Sequence, residues 1–203
     1  TIVIKSTITP DNLKKLLKIN NDLILNPEFL REKFANEDMR NAKFILIGKH
    51  IENYQILKDF YTMSTICNAE DFYITDIATA SLIKYSINSY LATKVIFFNE
   101  LKNIFNESES SEDWEDVIKI ISSDERIGSS HMMVPGHDNR YGFGGACFPK
   151  DTKALYEYSK KIKKEFSLLH KAISINNHIR AEYNTLSDRE LEQNVNYKID
   201  NES

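Results

Sequence analysis

Tyr141-Gly142-Phe143-Gly144-Gly145-Ala146-Cys147-Phe148-Pro149-Lys150-Asp151 holds three of the chain's six glycines and one of its two cysteines. Glycines this close together let the backbone turn where Cβ atoms would block it, and let a ligand approach the main chain. Pro149 suits the first turn of a helix, and Asp151-Thr152 offers capping oxygens for the polar–apolar run beyond it. Cys147 is therefore expected on a loop at a helix start, where unpaired N–H groups and Lys150 favour thiolate over thiol. That is the setting of a nucleophile. A tight turn around a buried structural cysteine fits the same residues, and on this stretch alone both readings stay open.

Composition narrows the classes around that motif. At 203 residues the chain can bury one large core or two small ones. A net charge of −4 without any basic block gives no reason to expect nucleic acid. No apolar run approaches the ~20 residues that span a bilayer, so no membrane partner is expected. Cys67 and Cys147 do not make a disulfide framework, and no signal-peptide pattern opens the sequence. The expectation is a reducing, cytoplasmic setting. Thr1 begins directly on a strand-like run, which needs neighbours, so we expect either a piece of a longer chain or a partner that completes it.

In chain order, Thr1–Lys5 reads as a short buried strand, and Pro10 is placed to open a helix over Asp11–Ile19. Strand-like runs follow at Asp22–Leu25, at Lys43–Ile47 (halted by Gly48) and at Phe72–Ile74, with a helix over Tyr54–Ile66 between the last two. Short apolar strands alternating with helices predict a parallel α/β sheet, and ligands in such sheets lie beyond the carboxyl ends of the strands. Thr7 and Glu28 stand just after two of them. From Asp76 to about Phe105 there is neither glycine nor proline, which predicts one helix roughly 45 Å long. It is apolar on nearly every side, the pattern of a helix buried by other helices or by a second subunit. Lys84 and Asn88 are four residues apart and share a face. An ammonium beside an amide can stabilise an oxyanion, although a snorkelling lysine next to an unrelated asparagine looks the same in sequence. Further helices are expected over Glu112–Ser122 (with Ser111 as N-cap), Thr152–Lys163 and Phe166–Arg180, and a mobile polar tail over Glu182–Ser203.

The stretch Gly-Phe-Gly-Gly-Ala-Cys-Phe-Pro-Lys-Asp, residues 142–151, resembles the nucleophile motif of the UDP-glucose dehydrogenases, within the nucleotide-sugar dehydrogenase family. Lys5-Ser6-Thr7 and Asn26-Pro27-Glu28-Phe29-Leu30-Arg31-Glu32 are similar to the late part of that family's NAD-binding domain. Lysine and asparagine at the spacing of Lys84 and Asn88 occur on its central dimer helix. The resemblance covers about residues 1–180 and implies a fold: an α/β remnant of a Rossmann-like parallel sheet, then a mainly α-helical domain built on one long central helix. The implied domains are 1–75 for the end of the NAD-binding domain, 76–181 for the central dimerisation and catalytic domain, and 182–203 for the tail. Where the family usually has glycine after the PEFLRE loop and after the STxxP proline, this chain has Lys33 and Asp11.

The activity implied is oxidation of a sugar C6 alcohol, in UDP-glucose or a related nucleotide sugar, to a carboxylate with reduction of two NAD. Cys147 would be the nucleophile, forming a thiohemiacetal and then a thioester. Lys84 and Asn88 would stabilise oxyanions, Asp151 and Thr7 would position water, and Glu32, less strongly Glu28, would transfer a proton. Glu28, Phe29, Leu30, Arg31 and Glu32 would meet the sugar nucleotide together with Lys84, Asn88, Tyr141, Phe143 and Gly144. Arg126 would reach a neighbouring subunit's substrate, and Thr7, Glu32 and Lys150 the cofactor. A homodimer packed along the long helix is expected because that helix is apolar on nearly every side. Two other classes compete. One is a Cys–His hydrolase pairing Cys147 with His131 or His137, for which no local signature exists. A metal site on the same three residues is weaker still, so no metal is expected. The other is a non-catalytic helical dimerisation module that retains an enzyme-like site. It has force because no G-x-G-x-x-G loop occurs to cradle a pyrophosphate.

Overall fold

The computed structural model describes residues 1–31, 34–49 and 54–197. The chain forms two compact units, Thr1–Ser86 and Ile87–Ser203. In the first, the strands are β1 (Ile2–Ile4), β2 (Leu23–Leu25), β3 (Phe44–Lys49) and β4 (Asp71–Asp76), in the spatial order β1-β2-β3-β4. Helices α1 (Pro10–Ile19), α2 (Ala35–Arg40) and α3 (Gln55–Ser64) connect them. Pro10 opens α1, where its missing N–H costs nothing.

The strand pleat divides the apolar residues into two cores. On one face Leu23, Leu25 and Leu46 pack with Leu13 of α1 and with Ile77 and Ala80 at the start of the long helix. On the other, Ile24, Ile45 and Ile47 pack with Leu57 and Tyr61 of α3. A sheet covered on both faces explains why β2 is buried at all three positions and reads as an unbroken apolar run.

The sheet is mixed, not wholly parallel as expected. β1 and β2 run parallel, as do β3 and β4, but β2 and β3 are antiparallel, paired at Ile24 with Lys49 and Leu25 with Gly48. A parallel pair needs a crossover, usually a full helix. Among the described residues the only helix between Leu25 and Phe44 is the six-residue α2.

Gly48 does not end its strand either. It lies inside β3, where a Cβ would stand 2.5 Å from the Ala80 Cβ and 3.1 Å from the Ile77 Cα. Glycine is there because a helix backbone passes close to the strand.

That helix, α4 (Ile77–Glu107), is continuous over 31 residues as the sequence predicts. Its first ten residues belong to the first unit and the remainder to the second. The second unit adds α5 (Trp114–Ser122), α6 (Phe148–Lys161), α7 (Ser167–Ala181) and α8 (Asp188–Glu192). Ala92 and Ile96 pack with Phe143 and Ala172, while Phe98 packs with Trp114, Met132 and Val134. α4 is not buried all round within the chain: Tyr90, Phe97 and Ile104 are 64%, 60% and 66% exposed. Seven-residue intervals put them on one stripe. The N-cap of α5 is Asp113, not Ser111.

The stretch expected to be a mobile tail carries α8, begun by a capping box in which Ser187 and Glu190 bond reciprocally. Its polarity misled the reading, because the polar groups are used on the protein itself.

Gly48→Ala is expected to cost about 1–3 kcal/mol through overpacking against α4, read as a lower urea midpoint. An unchanged midpoint would mean that strand and helix separate freely there.

Candidate active site

Cys147 occupies the N-cap of α6 and is exposed, with Asp151 donating its backbone N–H to the Cys147 carbonyl at 2.8 Å. Pro149 lies in the first turn. The turn before the cysteine uses two left-handed glycines, Gly142 at φ +74° and Gly145 at φ +77°. Two buried asparagines hold it. Asn99 of α4 accepts from the Gly142 N–H at 2.8 Å, and Asn176 of α7 accepts from the Phe143 N–H at 2.6 Å. Sequence reasoning missed both, since a lone asparagine on a helix carries no signal of what it will hold.

The room left by the glycines is taken by the protein's own side chains. A Cβ on Gly142 would stand 2.6 Å from the Asn176 Oδ1, and one on Gly144 would stand 2.5 Å from the Glu190 Oε1. Phe143 turns its ring into the core against Ala92, Ile96 and Ala172. Of Phe143 and Gly144, only main-chain atoms are left to meet a ligand. Tyr141 is partly buried, its N–H donated to the Tyr183 hydroxyl at 2.9 Å.

Asp151, 1% exposed, has both oxygens engaged: Oδ2 accepts from the Asn88 Nδ2 and Oδ1 from the Lys150 Nζ, each at 2.6 Å. It is therefore not a helix cap. Thr152 is not one either, as its hydroxyl bonds the Phe148 carbonyl at 2.7 Å, inside the helix. Cys147 and Asp151, four residues apart, share a face of the first turn of α6. Asn88 is thus fixed against this turn with one of its two amide hydrogens committed. The Lys150 ammonium, expected to act on the thiol and the cofactor, is paired with Asp151.

The first unit holds a second group. Lys84 donates to the Glu28 carbonyl at 2.6 Å and lies 4.9 Å from the centre of the Phe29 ring. Glu28 turns its carboxylate back to the Leu30 N–H at 2.7 Å, which shapes the loop after β2. Leu30 is partly buried, and Thr7 lies between β1 and α1. Arg31 is clamped to Asp38, Nη2 to Oδ1 at 2.6 Å, and that hydrogen bond holds the Asp38 carboxyl below its ordinary range. Glu32 lies outside the described residues.

A polar cluster unassigned from sequence joins the ends of β1 and β2. Lys5 donates at 2.8 Å to both Asn26 and Tyr61, and burial pushes its ammonium down while the Glu28 charge opposes. Arg126 is exposed and paired with Asp124, while Lys94 holds the adjoining loop by the carbonyls of Ile127 and Gly128. His131 packs its ring against Phe148, and His137 is exposed. Among the described residues no group of three or more His, Cys, Asp or Glu is placed to hold a metal ion, and no helix is long and apolar enough to cross a membrane.

Residues 78–178 match the central domain of the UDP-glucose/GDP-mannose dehydrogenase family. The chain belongs to that family. It is 37% identical over 182 residues to a UDP-glucose 6-dehydrogenase of Rickettsia bellii, covering 86% of this chain and 40% of the relative. A UDP-glucose 6-dehydrogenase of Bacillus subtilis is 38% identical over 157 residues, or 77% of this chain and 33% of that one. A UDP-glucose dehydrogenase from Pyrobaculum islandicum superposes with a TM-score of 0.72 at 27% identity, covering 87% of this chain and 40% of the other. The chain thus spans 33–40% of the length of these relatives. Within the family match fall Lys84, Asn88, Arg126, the whole Cys147 turn and Asp151. Thr7 and the Glu28 loop precede it.

Glu190 gives the site a pH limit. Burial alone would raise its carboxyl, but bonds from Tyr197, Ser187 and Gly145 outweigh this and hold it below the usual glutamate range. A depressed carboxyl stabilises the fold above its unfolded pKa and loses that contribution as pH falls through the lowered value. Protection of the α8 amides, taken as exchange relative to the intrinsic rate at each pH, is therefore expected to hold at neutral pH and to fall only in acid below the ordinary glutamate range. A loss of protection centred near neutrality would contradict it.

Proposed function

We propose that the chain supplies the nucleophile and oxyanion groups of an NAD-dependent nucleotide-sugar dehydrogenase, which oxidises the C6 alcohol of UDP-glucose to UDP-glucuronate. One observation carries the reading: an exposed thiol on a helix N-cap, with a buried carboxylate one turn on that fixes Asn88. The Cys147 thiolate adds to the C6 aldehyde, forming a C–S bond and placing the carbonyl electrons on oxygen. The second Asn88 amide hydrogen and the Lys84 ammonium meet that charge. The thioester formed by the next oxidation is opened by water, which Asp151 and Thr7 orient and Glu32 or Glu28 deprotonates, and the thiol is returned. For the nucleotide sugar the reading calls on Glu28, Phe29, Leu30 and Arg31, and on Tyr141 with the main chain of Phe143 and Gly144.

NAD is the oxidant that this reading calls for, with Thr7, Glu32 and Lys150 on its nicotinamide side. The described residues do not fit its pyrophosphate. Gly48 lies within β3 against Ala80, and the other five glycines belong to the second unit. No strand-to-helix glycine turn is among them. The isolated 203-residue chain is therefore expected to show no NAD binding in the micromolar range by calorimetry. Binding there would overturn this account of the cofactor.

The exposed stripe Tyr90, Phe97 and Ile104 supports a homodimer packed along α4, with Arg126 reaching the neighbour's substrate. Phe97→Asp should give monomers in sedimentation where the unmodified chain gives dimers. A monomeric unmodified chain at tens of micromolar would remove the proposal. The same stripe favours the alternative of a dimerisation module without catalysis. A cytoplasmic location suits two reduced thiols.

The catalytic reading is tested in a longer chain that includes a dinucleotide-binding segment. Cys147→Ala should abolish net uronic acid formation, and Lys84→Ala should slow oxidation on the order of a hundredfold, the weight of one oxyanion donor. Uronic acid made at near-normal rate by Cys147→Ala would end the covalent mechanism.

A further inference from the structure

The segment after α7 crosses back over the turn that presents Cys147. Tyr183 accepts the Tyr141 N–H at 2.9 Å. The Thr185 carbonyl and hydroxyl accept from Arg140 at 2.6 and 2.9 Å. Glu190, 1% exposed, accepts from the Gly145 N–H at 3.3 Å, two residues before the cysteine, and from the Tyr197 hydroxyl at 2.5 Å. Arg180 completes the contact. It donates to the Gly142 carbonyl at 3.0 Å and to Asp138 at 2.6 Å, and it lies 3.9 Å from Glu190. The segment therefore holds the turn at residues 140, 141 and 145, while Arg180 holds residue 142.

A merely covering segment would lay apolar side chains on the surface below it. Here Tyr183 and the buried Glu190 and Arg180 end on main-chain atoms of the turn. Gly145 is left-handed, so the direction in which the chain enters the α6 N-cap depends on which way its N–H points. Gly144 lacks a side chain at the place where Glu190 and Arg180 arrive.

We propose that Glu190 is a positioning residue: through the Gly145 N–H, with Arg180 beside it, it fixes the turn that sets the Cys147 thiol on the helix N-terminus. The inference rests on the reading of Cys147 as nucleophile. Removing the carboxylate lets the Gly145 peptide rotate, and the thiol then spends less time against the unpaired N–H groups of α6.

The test uses the 203-residue chain with Cys67→Ser, leaving Cys147 as the only thiol. Its readouts are the pH profile of iodoacetamide alkylation and the amide exchange of Gly145 by NMR. Glu190→Ala should speed Gly145 exchange and lower Cys147 alkylation at neutral pH about fivefold, the weight of one buried hydrogen bond. Glu190→Gln keeps an acceptor for Gly145 and should restore both readouts to within about twofold. Tyr183→Phe, which frees the Tyr141 N–H with little change of shape, should act in the direction of Glu190→Ala but less. A folded Glu190→Ala chain with unchanged alkylation and exchange overturns the proposal. Should Glu190→Ala fail to fold, Tyr183→Phe decides, and an unchanged Cys147 profile there overturns it equally. Failure of the nucleophile reading is seen separately, as a Cys147 that alkylates no faster than Cys67 in the unmodified chain.

Discussion

The second unit depends on a clamp of two buried amides. Asn99 from α4 and Asn176 from α7 each accept a backbone N–H from the Gly142–Phe143 turn. A left-handed turn between helices exposes N–H groups that cannot pair within the turn, and burying them unpaired costs about 1–3 kcal/mol each. The two asparagines remove that cost and tie the turn to both helices at once. Phe143 is then directed into the core between them. The start of α6 and Cys147 take their place from there.

In the first unit the corresponding constraint is the two-faced sheet. Leucines of β2 and β3 face α1 and the head of α4, and isoleucines face α3. With both faces committed, the strand ends are left for chemistry. There Lys5, Asn26 and Tyr61 bond one another, and Lys84 reaches the carbonyl of Glu28. A lysine that donates to a main-chain carbonyl shapes the loop as well as carrying charge.

Much of this was legible in sequence, for identifiable reasons. The absence of glycine and proline from Asp76 to Phe105 sufficed for α4, and the short apolar runs sufficed for four strands. Cys147 at a helix start followed from the glycines and Pro149. Strand direction was not legible, because the pattern that marks a strand as buried is the same whichever way it runs. Nor was the role of Gly48, since a breaker and a close-approach glycine are spelled alike. Asp151 looked like a cap because caps and buried anchors use the same carboxylate. The region around Glu190 looked like a tail because hydropathy counts a polar atom as solvent-facing even when a buried partner awaits it.

The crowding at Gly144 has a consequence for how the molecule can vary. Residue 144 lies against the Glu190 oxygen and the Arg180 guanidinium, so these three positions are not independent. A methyl group introduced at 144 collides with a carboxylate that is itself held by Tyr197 and Gly145. Shortening residue 190 removes the nearest of these contacts, while the methyl still stands 2.8 Å from the Arg180 Nη1 and 2.9 Å from its Cζ. The two changes therefore combine non-additively, the second relieving part of the first. Across descendants of this sequence, a side chain at 144 and a carboxylate at 190 are mutually exclusive tenants of one small volume.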